Sequence, residues 1–118
     1  MHFIIVYTID AHPAGSTSPY SNREWTSTYS RDQAGNQVAQ PQTYEERFEL
    51  ACQTVVEAGI KVPVLVDDID NPVWCTYGPA PDIAYLIGTD GKIIVRQPWY
   101  DPTQIETALT RYLNSGAK

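Results

Sequence analysis

A chain of 118 residues, 42% hydrophobic and 19% charged, is long enough for one hydrophobic core and too apolar to be a disordered segment. A formal net charge of -6, with no Lys/Arg patch, argues against a partner held by a phosphate backbone. No apolar run is long enough to span a bilayer, no secretory leader is recognisable, and Cys52 and Cys75 have neither a CxxC nor a metal-ligand spacing. The expectation is a single soluble, cytoplasmic domain with no metal and no other cofactor.

Phe3 to Ile9 is apolar on both faces, which reads as a strand buried within a sheet. Asp10 and His12 fall where that strand should end, the place where ligands and chemistry gather in open α/β sheets. Pro13 to Gln42 is rich in Ser, Thr, Gln, Gly and Asn and has no sustained period. It reads as a long loop anchored by Tyr20, Trp25 and Tyr29 and folded back over the strand ends, with a mobile surface insertion as the alternative.

Thr43-Tyr44-Glu45-Glu46 reads as a capping box, with Thr43 as N-cap and Glu46 reaching back to its N–H. Tyr44, Phe48, Ala51, Cys52, Val55 and Val56 recur at helical spacing, and Gly59 suits the position just past a helix end. A helix to about Ala58 is therefore predicted, with that stripe buried and Cys52 a small core residue. Val62 to Asp67 is a second apolar strand, in which Pro63 marks an edge or a strand start. Strand, helix and strand in succession make a βαβ unit, with parallel pairing and a right-handed crossover.

Asn71 as N-cap and Pro72 at the first helical position predict a short helix to about Tyr77. The acidic run before it is a poor calcium loop, because Pro72 stands where a ligand belongs and the turn glycine is missing. No cation lies near Cys75 in sequence to make it a reactive thiolate. Ile83 to Ile87 and Lys92 to Gln97 flank Gly88-Thr89-Asp90-Gly91 as a β-hairpin. Asp101-Pro102-Thr103-Gln104 is a second capping box. Ile105, Ala108, Leu109, Tyr112 and Leu113 then form the buried stripe of a last helix that ends before Gly116. The sum is an α/β chain whose mixed sheet carries helices on both faces.

Three segments together resemble the iodothyronine deiodinase family and its bacterial relatives in the thioredoxin-like (redoxin) superfamily. They are Tyr7-Thr8-Ile9-Asp10-Ala11-His12-Pro13; Pro63 through Asn71; and Tyr77 through Ile87 with Asp90-Gly91-Lys92-Ile93 after it. Gln97-Pro98-Trp99-Tyr100-Asp101-Pro102 also fits the stretch before the family's last helix, so the likeness covers nearly the whole chain in order. It implies a thioredoxin-like domain over residues 1–118 and a reductive dehalogenase or thiol oxidoreductase activity. Tyr7, Asp10 and His12 would then be active-site groups. In that role the imidazole passes a proton, the carboxylate orients it and the phenol holds or relays the proton.

The chain departs from the family in several places. Asp10 stands for the family's Glu, the second histidine has no counterpart, and the arginine that contacts iodothyronine falls at Ile83. The family's selenocysteine or cysteine nucleophile lies on a strand before the one that opens this chain. Hence a truncated thioredoxin-like chain is expected, read from a start codon downstream of a UGA codon and inactive alone for want of its nucleophile. Its unpaired sheet edges would then favour a homodimer, and a thiol reductant and a small-molecule substrate would belong to the longer parent. Two other readings stand beside it. One is a non-catalytic binding or assembly module in which Asp10 and His12 merely close a strand end, and the other is a peroxidatic or resolving role for Cys75.

Overall fold

A computed structural model of the chain describes residues 1–27, 31–32, 34–78 and 81–116. Of the features singled out above, Tyr29 and the Pro79-Ala80 pair lie outside these residues. The chain divides into two compact units, Met1–Pro79 and Ala80–Lys118.

The first unit runs β1 (Ile5–Tyr7), α1 (Tyr44–Glu57), β2 (Val64–Val66) and α2 (Pro72–Tyr77). The two strands pair in parallel, Ile5 opposite Val64 and Tyr7 opposite Val66, as a strand–helix–strand sequence demands. Pro63 stands just before β2, where its carbonyl accepts the Ile5 N–H at 3.0 Å and its missing donor costs nothing. The 13–42 segment contains no helix or regular strand among its described residues, only an isolated bridge between Arg31 and Gln37.

Each end of α1 follows its local code. Thr43 Oγ1 accepts the Glu46 N–H at 3.2 Å, and Gly59 turns the chain out at φ +61°, a conformation open to glycine without a Cβ penalty. The box itself differs by one residue, because the Glu46 carboxylate takes the Gln42 N–H at 2.7 Å instead of that of Thr43.

Burial departs further from expectation. The inner line of α1 runs through Arg47 and Ala51, both buried, while Tyr44, Phe48, Cys52 and Val56 are exposed. Cys52 is therefore a surface thiol and not a core residue. The rotation of the helix goes with Arg47, whose guanidinium donates to the carbonyls at the exit of β2. β1 is likewise not a buried central strand: Phe3 and Ile4 are 57% and 61% exposed. Among the described residues it pairs with β2 alone, and a two-stranded sheet under one helix cannot cover both faces of so apolar a run.

Asp67, the residue after β2, is only 2% exposed. Its carboxylate accepts the N–H groups of Asp68 (3.0 Å), Val73 (3.0 Å) and Trp74 (2.9 Å). That makes Asp67, not Asn71, the side chain that caps α2. Asn71 makes no side-chain capping bond and instead turns the chain at φ 59°, ψ 45°, a left-handed conformation that asparagine tolerates.

The second unit comprises β3 (Ala84–Ile87), β4 (Ile93–Gln97) and α3 (Pro102–Asn114). The hairpin pairs Ala84 with Gln97 and Leu86 with Val95, and its register shifts after Leu86 so that Ile94 becomes the extra residue of a bulge. Gly88 closes the turn through the Lys92 carbonyl at 2.8 Å. A Cβ at Gly88 would fall 2.9 Å from Asp90 Oδ1 and 3.0 Å from the Tyr112 hydroxyl, so any larger residue would make those side chains shift. Asp101 caps α3 by accepting the Gln104 N–H at 3.1 Å, with Pro102 at the first helical position.

These contacts set a stability order. Asp67→Ala strips three N–H groups of a buried anionic acceptor and is expected to cost about 3 kcal/mol, whereas Asn71→Gly, which relieves the left-handed turn, should cost nothing. Urea midpoints with an unchanged m-value test this, and equal small effects at both positions would contradict the capping role of Asp67.

Candidate functional site

Tyr7, Asp10 and His12 sit at the C-terminal end of β1 and in the turn that follows it. The turn is fixed by Asp10, whose Oδ1 accepts the His12 backbone N–H at 2.8 Å. The main chain of Asp10 is held in turn by one residue thirty positions on. Gln40 Oε1 accepts the Asp10 N–H at 2.9 Å and Gln40 Nε2 donates to the Asp10 carbonyl at 3.0 Å. A single amide thus takes the place of a neighbouring strand.

His12 faces the loop. Its Nδ1 lies 2.8 Å from the Trp25 carbonyl, and its ring stands edge-on to the Trp25 indole at 4.1 Å between centroids. A carbonyl can only accept, so Nδ1 carries the proton and Nε2 of the neutral ring is left with its lone pair. The imidazole is thus oriented by Trp25, and the Asp10 carboxylate orients the backbone of His12 instead of its ring. The loop has two further ties. The buried Ser18 donates its hydroxyl to the Ala11 carbonyl at 2.6 Å, and the Tyr20 hydroxyl accepts the Trp74 indole N–H at 2.6 Å. Trp25 and Tyr20 therefore do anchor the loop to the strand end and to α2.

Tyr7 and Asp10 open into one cavity of about 250 Å3, walled by α1 through Leu50, Thr54 and Glu57 and flanked by Arg31. The Tyr7 phenol faces the Thr54 side chain, whose hydroxyl donates to the Leu50 carbonyl at 2.9 Å. Burial first, and the Asp10 charge second, hold it in its protonated form above the ordinary tyrosine range, while Thr54 and the charge of Arg47 act the other way. Tyr20 is raised as well, chiefly by burial. At neutral pH the cavity therefore presents a neutral phenol as proton donor beside a carboxylate. His12 does not line it, so the three residues share one strand end and not one cavity wall.

Neither cysteine lines the cavity, and both are exposed on their helices. Among the described residues no three His, Cys, Asp or Glu side chains are grouped to hold a metal ion, and no helix is long and apolar enough to cross a membrane. Gln40, Thr54 and Arg47 were not legible as site residues. The first is one amide in a polar segment, and the other two gain meaning only from the strand ends that α1 packs against.

The chain matches no family model, no curated protein and no solved structure.

The raised phenols fix the sign of a pH effect. Unfolded tyrosines titrate near 10, so above that pH the native chain retains protons that the unfolded chain has lost. The stabilisation is complete below about pH 10 and is lost as pH rises through the folded values. Tyr7→Phe removes one contributor, and its urea midpoint should fall less between about pH 8 and about pH 11 than that of the parent chain. Parallel curves would contradict the burial of the phenol.

Proposed function

We propose that this chain carries the proton-handling side of a thiol- or selenol-dependent reductive site on a thioredoxin-like fold. This is the function that the resemblance to the deiodinase family implies. The observation that carries it is the protonated Tyr7 phenol opening beside the Asp10 carboxylate into a cavity at the end of β1. The order of elements agrees with such a fold: a parallel pair joined by a helix, then an antiparallel hairpin and a closing helix.

In a reductive dehalogenation the thiolate or selenolate takes the halogen as a cation equivalent, and the carbon left with the bonding pair needs a proton. In this reading Tyr7 delivers it, and His12, whose Nε2 lone pair takes up a proton from solvent, serves the same strand end from outside the cavity. The resulting sulfenyl or selenenyl halide is reduced by a second thiol, which releases halide. Cys52 and Cys75 stand away from the cavity, so the nucleophile is supplied from elsewhere.

A second reading has its own support. The Asp10 carboxylate and the His12 ring are both used on the main chain, one on a backbone N–H two residues on and one on a loop carbonyl. Those contacts suit a non-catalytic module in which both residues only close the strand end.

Supplying the nucleophile externally separates the two. With an iodophenol and a small selenol in solution, the chain should speed iodide release over the selenol-only rate. Tyr7→Phe and His12→Ala should each lose roughly a hundredfold of that gain. A parent chain no faster than selenol alone, or variants equal to it, would leave the structural reading standing.

A further inference from the structure

Arg47 is 1% exposed on the inner face of α1, a position where the neighbouring Ala51 shows that a small apolar side chain packs. Its Nη1 donates to the Asp67 carbonyl at 3.2 Å and also to the Asp68 carbonyl, while its Nε is buried with no partner. Among the described residues no carboxylate comes within 4 Å of it, and the ion pair found there is Lys92 with Asp90 on the hairpin turn. A guanidinium does not lose its proton in a protein, so the charge is permanent and matched only by main-chain dipoles. Burying such a charge costs several kcal/mol that an apolar residue at the same place would not. A packing role alone leaves that cost unexplained.

The strand ends supply the explanation. The Asp67 residue that takes Arg47 on its carbonyl gives its own N–H to the Tyr7 carbonyl at 2.9 Å. Arg47 is thus one residue removed, through a continuous hydrogen-bond path, from the backbone that carries the phenol. We propose that Arg47 is a positioning residue for Tyr7, a buried permanent charge that pins the strand end and bears on the phenol carried there. The other groups around that phenol are Asp10, which opposes ionisation, Thr54, which favours it, and Glu57 and Arg31, which line the cavity. Arg47 is the buried cation among them, and its charge acts on Tyr7 in the direction that favours phenolate. In low-dielectric surroundings such a field is little screened.

The inference deepens the proposed use of Tyr7 but is read without turnover, so loss of dehalogenation in the external-selenol assay leaves it untouched. The test follows the Tyr7 ring carbon that bears the hydroxyl by NMR through alkaline pH, assigned by its absence in Tyr7→Phe. Arg47→Met keeps the length and removes the charge, and its Tyr7 midpoint should move up by roughly half a pH unit. Arg47→Lys keeps the charge and should leave the midpoint near that of the parent. A folded Arg47→Met with an unchanged midpoint overturns the proposal. Should neither variant fold, the parent chain decides. The Arg47 Nε proton should exchange with solvent roughly a hundredfold more slowly than that of the exposed Arg23, and equal rates overturn it.

Discussion

One buried residue holds three segments together. Asp67 caps α2 with its side chain, accepts the α1 guanidinium on its carbonyl and donates its N–H to β1. Each of these groups is an end: the C-terminal end of β1, the exit of β2 and the first turn of α2. Polar groups at such ends are costly to bury without partners. Here a single residue satisfies most of them, which fixes where Tyr7 stands. The phenol, the cavity it opens into and the turn through Asp10 to His12 all follow from that placement.

The same economy recurs in both units. Gln40 pairs its amide with the main chain of Asp10, and the buried Gln97 does the same with Asp101, accepting the N–H at 3.0 Å. Each aspartate then uses its carboxylate on residues just ahead, Asp10 in a turn and Asp101 as a helix cap. A glutamine clamps the backbone where a strand ends, and an aspartate launches what comes next. Side-chain amides do here what a third strand does in a wider sheet. The interior is correspondingly polar. Arg47, Asp67, Ser18 and Gln97 are buried, while Phe3 and Ile4 just before β1 and Leu65 in β2 stay largely exposed.

This distribution explains what could be read from the sequence. Thr43, Gly59, Asp101 with Pro102, and the turn ending in Asp90-Gly91 carry codes of four residues or fewer, and each marks its element to within a residue or two. Parallel pairing of β1 with β2 followed from the order alone. Burial did not, because the apolar periodicity of α1 names several possible faces and the partner chooses among them. Asn71 looked like a cap because it precedes a proline, yet the carboxylate four residues earlier reaches the helix first. For the site, Tyr7, Asp10 and His12 could be named from their place at a strand end. Their partners could not, since Gln40 lies thirty residues from Asp10 and Trp25 thirteen from His12. Contacts at such separations leave no local pattern.

The chemistry available at the strand end is the donation of a proton by a sheltered phenol, with an imidazole whose free nitrogen is set by a carbonyl. Both depend on strand ends that do not fray. Native-state hydrogen exchange of the Asp67, Val73 and Trp74 backbone amides addresses that dependence most directly. If Asp67 ties the three segments, the three amides open together, with protection matching the interior of α1. Rapid exchange of Val73 and Trp74 beside a protected Asp67 would show that α2 is held by something else, and the Asp67 tie would be contradicted.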